Sequence, residues 1–321
     1  MSDGAREFQH ALHHQLWQRL PRTWRREGLF RATSLLAPRP TPLARPATPI
    51  IVAGALRTAS GLGESARLCH DALKLSGLPV FGIDLTSGLM QPLDNLDFCF
   101  VDGGSFCGPG TLLVHVNSPL IPLALWLLGR SVVQNKYVIG YWAWELSEVP
   151  HDWHYGIPFV HEIWVPSAFT ADAVRKIAGD RPVQVVPHPV ALRGLAGGHR
   201  LPQLERPYTA LIIFNMASSF ERKNPIAAIT AFARAFGDDA SARLIVKTSN
   251  SEAFPSGIRS IKKAIGEAQN VMLIDRTISA VEMEELYSEC DVLMSLHRSE
   301  GFGLPIAEAM LRGLPVVATD W

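Results

Sequence analysis

The sequence predicts an α/β protein built from two doubly wound, Rossmann-like parallel-sheet domains, and three observations predict it. Short β-branched runs alternate with helical patterns along most of the chain. The strand runs are apolar along their whole length, as strands covered on both faces are. The 321 residues exceed one compact domain, so two domains of about 100 to 200 residues each are expected. With 47% hydrophobic and 19% charged residues, both can bury a full core, and a formal net charge of zero gives no global attraction for nucleic acid.

Residues 1–48 are expected to stand apart. Arg19, Arg22, Arg25, Arg26 and Arg31 interleave with Leu16, Trp17, Leu20, Trp24, Leu29 and Phe30. Two readings stand for this stretch: a basic amphipathic helix in peripheral contact with an anionic membrane, or a disordered, loosely packed extension. "APRPTPLARPATP" (37–49) reads as a stiff linker without packing residues, which puts the start of the folded part near Pro49.

The first domain is expected over 49–190, with strands at "IIVAGAL", "VFGIDL", "LLVHVN", "YVIGYWAW", "EIWVPS" and "VQVVPHPV" and helices near 63–75 and 168–177. Gly and Pro in 191–207 mark an interdomain linker. The second domain, 208–321, alternates cleanly: "YTALIIFNM", helix 224–236, "ARLIVKTS", helix 257–268, "VMLIDRT", helix 280–290, "DVLMSLH", helix 304–312, "PVVATD". It stops at Trp321 after a strand, where this architecture normally adds a covering helix, so the sequence reads as cut short.

The four cysteines, Cys69, Cys99, Cys107 and Cys290, form no CxxC pair and no metal-ligand spacing, which suits a reducing cytoplasm. The first residues lack the apolar core and cleavage site of a signal peptide. "PLIPLALWLLG" (119–129) is shorter than the roughly 20 residues of a spanning helix. A cytoplasmic protein, at most peripheral to a membrane, is expected.

Ligands of open parallel sheets bind outside the carboxyl ends of the strands, where helix N-termini also point. "SEGFGLPIAEAM" occupies that position. Pro305 suits a first helical turn, and Gly301 and Gly303 let main-chain N–H groups approach a diphosphate. Glu300 and Glu308 would repel an anion and suit sugar hydroxyls instead. A capped helix with a Gly-rich turn would show the same pattern. "ASSFERKNP" places Ser218, Ser219, Arg222 and Lys223 in the loop after another strand, before a helix starting near Asn224 and Pro225. An Arg fork beside a Lys point charge can neutralise a departing diphosphate; a solvated basic turn is the alternative.

"ERKNP", "DVLMSLHRSEGFGLPIAEAM" and "GLPVVAT", in this order and spacing, make 211–320 resemble the donor-binding domain of the retaining nucleotide-sugar glycosyltransferases of family 4, which have the GT-B fold of two facing Rossmann-like domains. "GLGESAR", "YWAWELSEVP", "EIWVPSAFT" and "VVPHPV" extend the resemblance more loosely to the first half. The resemblance implies a retaining hexosyl transfer without a metal or other cofactor, from a UDP- or GDP-linked sugar to a saccharide or lipid-linked acceptor in surface polysaccharide synthesis, mannose being the first guess for the sugar. It assigns Arg222 and Lys223 to the diphosphate, Glu300 to donor-sugar hydroxyls and Glu308 to the ribose. The amides of Gly301, Phe302, Gly303 and Leu304, with Ser219, would place the donor, and Arg276 and Thr277 would lie near the base. The leaving diphosphate itself would take the acceptor proton, which makes Glu300 and Glu308 binding groups.

Gly61 and Gly63 in "ASGLGES" are either a close approach to donor or acceptor, or a plain strand-to-helix turn. Trp142, Trp144 and Glu145 suit a saccharide or a buried interface cluster. Family members use a histidine of this half near the sugar; His115 and His154 are both candidates, and either could be an ordinary core histidine. Lys247 reads as a salt-bridged surface lysine or a donor-side ligand. Two other functions remain open at this point, a catalytically incomplete donor-binding or interaction fragment and a GT-B nucleotide-sugar epimerase.

Overall fold

The computed structural model describes residues 21–94, 96, 98–191 and 206–320. Helix α1 (Arg22–Leu36) precedes a first unit of β1 (Ile50–Gly54), α2 (Gly61–Leu75), β2 (Val80–Asp84), β3 (Gly110–His115), α3 (Ile121–Leu128), α4 (Arg130–Val133), β4 (Lys136–Tyr141), β5 (Glu162–Val165), α5 (Ala168–Ala178) and β6 (Val183–Val185). The second unit comprises β7 (Tyr208–Ile213), α6 (Phe220–Lys223), α7 (Pro225–Phe236), β8 (Ala242–Thr248), α8 (Pro255–Ile265), β9 (Val271–Asp275), α9 (Ala280–Glu289), β10 (Val292–Ser295), α10 (Leu304–Leu311) and β11 (Val316–Ala318).

The strands form two sheets, ordered β2-β1-β3-β4-β5-β6 and β11-β10-β7-β8-β9, and every pairing is parallel. Each order reverses direction once, after β2 and after β9, which makes both sheets doubly wound. Each has a core on both faces: Leu112, Val114 and Val138 against α3 and α5 on one face of the first sheet, Val52, Leu113 and Ile139 against Ala66 and Cys69 of α2 on the other. In the second sheet Leu244 and Val246 pack with Ile229 and Phe232 of α7, and Leu211 and Leu293 with Leu286 and Ala309.

Helix ends follow local chemistry. Ser60, Ser167 and Ser279 accept N-terminal amide hydrogens of α2, α5 and α9, the last in a reciprocal box with Glu282. Asn224 and Gly303, in left-handed conformation at φ 51° and 81°, turn the chain into α7 and α10 ahead of Pro225 and Pro305.

The N-terminal segment departs from expectation. Helix α1 packs on α3, with Phe30 5% exposed, and is tied down by Arg26 to Asp152 at 2.6 Å and by the Tyr155 hydroxyl donating to Glu27 at 2.6 Å. Leu16, Trp17, Arg19 and Leu20 of the proposed amphipathic helix lie outside the described residues. The 37–49 stretch is no bare linker. Ala37 is buried, Arg39 lies over the Phe159 ring at 4.0 Å, and Thr111 both donates to Ala47 O at 2.8 Å and accepts from its N–H at 3.1 Å. Prolines remove ladder donors but leave carbonyls able to accept, so the segment stitches onto the sheet without joining it. Of the expected linker, 192–205 lies outside the described residues.

Candidate active site

Loops leaving the carboxyl ends of β1, β4 and β6 meet loops leaving β7 and β10. Asn215 donates to Ala59 O at 3.2 Å, the Ser299 hydroxyl donates to Glu145 O, and the Phe302 ring stands edge-on to His188 with centroids 4.9 Å apart. The site is therefore shared between the two domains.

At its centre four charged side chains from both domains form a quartet. The Arg222 guanidinium, 8% exposed, lies 3.3 Å from Glu300 and 3.4 Å from Glu145, while Nη1 donates to Ser299 O at 3.0 Å and Nη2 to Ser218 Oγ at 2.8 Å. Lys223 pairs with the other oxygen of Glu300. Burial raises the Glu300 carboxyl, but Lys223 and Arg222 outweigh it and hold the group below the ordinary carboxylate range. Glu145 is raised, because burial exceeds the attraction of Arg222 and Glu300 opposes it. The expectation of a free Arg222 fork for phosphate is thus altered: its Nη atoms organise the site, and Lys223 is the more exposed cation of the two.

Around the quartet the predicted residues divide. Gly301 packs against the first domain, where an added Cβ would lie 2.5 Å from Trp144 O; this glycine serves the close approach of two backbones. Gly303 and Leu304 form the head of α10, and Glu308, one turn further, accepts from the Tyr287 hydroxyl at 2.9 Å. Burial raises the Glu308 carboxyl, and Glu64 of the first domain adds to the shift. Ser219, at the head of α6, is exposed. In "GLGES", Gly61 is exposed with open space before it, whereas a Cβ on Gly63 would meet the carbonyls of Thr58 and Ala55 at 2.5 and 2.7 Å, so the turn itself requires that glycine.

Trp142 is fully buried, its ring edge-on to Trp153, and Trp144 donates from Nε1 to Glu148 O at 2.8 Å. The Trp142 ring belongs to the core of the first domain, and the Trp144 ring packs against that core. His115 ends β3, 1% exposed, with Nδ1 3.1 Å from Ser65 Oγ and its ring stacked on Tyr141. Burial, helped by His188, lowers it to about 3. His154 is exposed and leans on Tyr155, beside α1. The histidine facing the second domain is His188, which sequence reasoning passed over; a His between two prolines just past a parallel strand was the available signal. Tyr287, Ser299 and Thr170, which donates to Trp144 O at 2.8 Å, were missed because a hydroxyl carries no spacing pattern.

With this geometry in hand, residues 201–321 match the family described as Glycosyl transferases group 1. The match spans the second parallel-sheet unit, and it is a likeness of that unit to the family. The chain also resembles the E. coli trehalose-6-phosphate protein bound with UDP-2-fluoro glucose, at 12% identity and a TM-score of 0.56, covering 84% of each chain. It resembles Anabaena Alr3699/HepE in complex with UDP-glucose at 13% identity and a TM-score of 0.54, covering 84% of this chain and 79% of that one. Both likenesses support the GT-B arrangement of two facing parallel-sheet domains. Against the pneumococcal O-GlcNAc transferase GtfA the likeness covers 67% of this chain and only 42% of that one, at 13% identity and a TM-score of 0.46. No curated protein sequence matches the chain.

Within the matched stretch, Lys247 is buried at the end of β8, not salt-bridged at the surface as one reading had it. Its ammonium donates to Thr248 O at 3.0 Å, and burial lowers it to about 8. Arg276 and Thr277 are exposed after β9, where Arg276 pairs with Glu282 at 2.7 Å and supports the head of α9. Among the described residues no group of three or more His, Cys, Asp or Glu could hold a metal ion, and no helix is long and apolar enough to cross a membrane. What the site offers is cations held by acids at the mouth of two sheets, with hydroxyl-accepting carboxylates on either side of a helix N-terminus.

Proposed function

We propose that this chain is a retaining, metal-independent glycosyltransferase that moves a hexosyl group, mannose or glucose, from a UDP- or GDP-linked donor to a saccharide or lipid-linked acceptor in surface polysaccharide synthesis. The observation that carries the reading is the quartet of Arg222, Lys223, Glu300 and Glu145, drawn from both domains and set beside the N-terminus of α10.

Lys223 and the N-terminus of α10 face the diphosphate and neutralise charge as it develops on the leaving group, the term that contributes most to catalysis of this kind. Arg222 acts mainly by holding Lys223's loop, Glu300 and Glu145 in register. Glu300 accepts from donor-sugar hydroxyls while it balances the cations, and Glu308 accepts from the ribose. The leaving diphosphate receives the acceptor proton on the same face from which it departs, which gives retention without a protein nucleophile. The first domain, through Glu145 and the β1–α2 turn, receives the acceptor. The reading places the protein in the cytoplasm, with α1 and the basic residues before it touching the inner face of an anionic membrane.

Calorimetric titration of UDP and GDP into the chain, beside Arg222→Ala and Glu308→Ala, tests this. One nucleotide should bind, about 10- to 100-fold more weakly to each variant, because Glu308→Ala loses a charge-assisted hydrogen bond and Arg222→Ala releases Lys223 from its position. A folded chain that binds neither nucleotide would end the proposal.

A further inference from the structure

Tyr287 lies on α9, 3% exposed, packed into the core of the second domain with Leu211, Leu293 and Ala309. Its hydroxyl has one proton and two oxygens near it, Glu308 Oε2 at 2.9 Å and Pro305 O at 3.4 Å. The longer contact exceeds the usual O–H hydrogen-bond range, so the proton goes to the carboxylate. Burial, reinforced by Glu308, raises the phenol well above its ordinary value, so it keeps that proton and remains a donor. The Arg312 guanidinium covers the ring 4.4 Å from its centre. Arg312 is fixed in turn by Glu284 of α9 at 2.9 Å and by donating to Glu308 O at 2.8 Å.

It follows that one oxygen of Glu308 is committed and the other is not. Oε1 takes no hydrogen bond among the described residues. Four charged or titratable groups face this carboxyl: Tyr287 and Glu284 on α9, Arg312 just past α10, and Glu64 at the head of α2 in the first domain. Burial raises it, and Glu64 and Glu284 add to the rise; the Tyr287 hydrogen bond is the strongest influence the other way, with Arg312 behind it. The phenol thus orients the side chain and favours its ionised form, whose oxygens only accept. A glutamate free to rotate would have to be ordered when a ligand arrived, whereas this one is ordered when the core packs around Tyr287.

We propose that Tyr287 is a positioning residue of the donor site: by holding Oε2 of Glu308 it presents Oε1 to the ribose hydroxyls of the nucleotide. This rests on the glycosyltransferase reading above, in which Glu308 receives the ribose.

Tyr287→Phe removes the hydroxyl and keeps the ring, and thermal melts establish that the variant is folded. UDP, GDP and their 2′,3′-dideoxy forms, which lack the ribose hydroxyls, are titrated calorimetrically into the parent chain and the variant at pH 8 and pH 6. At pH 8 affinity for the bound ribonucleotide should fall roughly 3- to 10-fold in Tyr287→Phe, the scale of one hydrogen bond, while affinity for its dideoxy form stays within about twofold. Without the phenol the carboxyl rises further and protonates at higher pH, so the deficit should widen at pH 6. The ratio of ribo to dideoxy affinity at each pH cancels the titration of the nucleotide's own phosphate. A purely structural role would weaken both forms alike; that result, or undiminished preference for the ribose form, overturns the inference. A parent chain that binds no nucleotide sinks the glycosyltransferase reading, and one that binds ribo and dideoxy forms equally sinks the ribose role of Glu308; either takes this inference with it. Carbon-13 NMR of the unmodified protein, labelled at tyrosine Cζ, is independent of variant folding. One of the five tyrosines should shift as a single carboxyl titrates above 4.5, and none moving would overturn the contact.

Discussion

Gly301 of the second domain stands against the carbonyl of Trp144 in the first, so closely that a methyl group there would lie 2.5 Å from the oxygen. The "GFG" loop is therefore an interdomain contact. Gly301→Ala should push the domains apart locally while each stays folded, because the obstruction is backbone and cannot rotate away. Transfer activity is expected to fall at least about tenfold, since a displacement near 1 Å costs on that order or more, with little change in nucleotide affinity. Parallel activity assays and nucleotide titrations check this; a fully active variant would mean the approach is not needed for turnover.

Arg222 answers to two acids on different domains. Removing it as Arg222→Ala leaves Glu300 and Glu145 without their shared partner in a buried setting, which should cost about 3 kcal/mol in urea unfolding. Arg222→Lys restores charge but not the fork to Ser299 O and Ser218 Oγ, so it should recover only part of that loss. Equal stability of the lysine variant and the parent protein would show that geometry at this position is dispensable.

Glu308 is buried beside Tyr287 and within reach of Glu64, and its carboxyl is raised. A carboxyl raised in the folded state opposes folding when ionised, and protonation relieves it. Glu308→Gln should accordingly be more stable than the parent protein at pH 7, the difference closing as pH falls through the raised folded value and gone below the ordinary value of 4.5. The same variant should bind nucleotide about 10-fold more weakly if the carboxylate holds the ribose. Thermal melts at several pH values, paired with titrations, separate the two effects.

Glu300 runs the other way. Its folded-state carboxyl is lowered, so its contribution is present above the unfolded value of 4.5 and is lost as pH falls through the lower folded value. Urea midpoints measured from pH 6 to pH 3 should drop more steeply for the parent protein than for Glu300→Gln, whose neutral amide has no charge to lose. Parallel curves would mean that Lys223 and Arg222 do not hold this carboxylate.

Much of this was legible locally. Among the described residues each of the eleven strands overlaps one of the expected apolar runs, and the pairs Asn224–Pro225 and Gly303–Pro305 sit at helix heads as turn chemistry requires. The α1 helix and the 37–49 stretch were misjudged because their attachment depends on partners more than 60 positions away, Thr111 for Ala47 and Asp152 for Arg26. His188 escaped notice for the same reason, since its neighbours Ser65, Tyr141 and Phe302 come from three separate stretches of chain.

What the sequence by itself determined is what short-range physics controls: strand and helix alternation, caps, turns, and the residue types gathered after β7 and β10. Tertiary structure alone decided that Arg222 organises the quartet more than it waits for phosphate, that Gly301 admits a backbone, and that His188 faces the second domain. The physical reason is that capping and periodicity act over a few residues. Which charges neutralise one another is settled only when segments such as those of Glu145 and Ser299, 154 positions apart, are brought into contact.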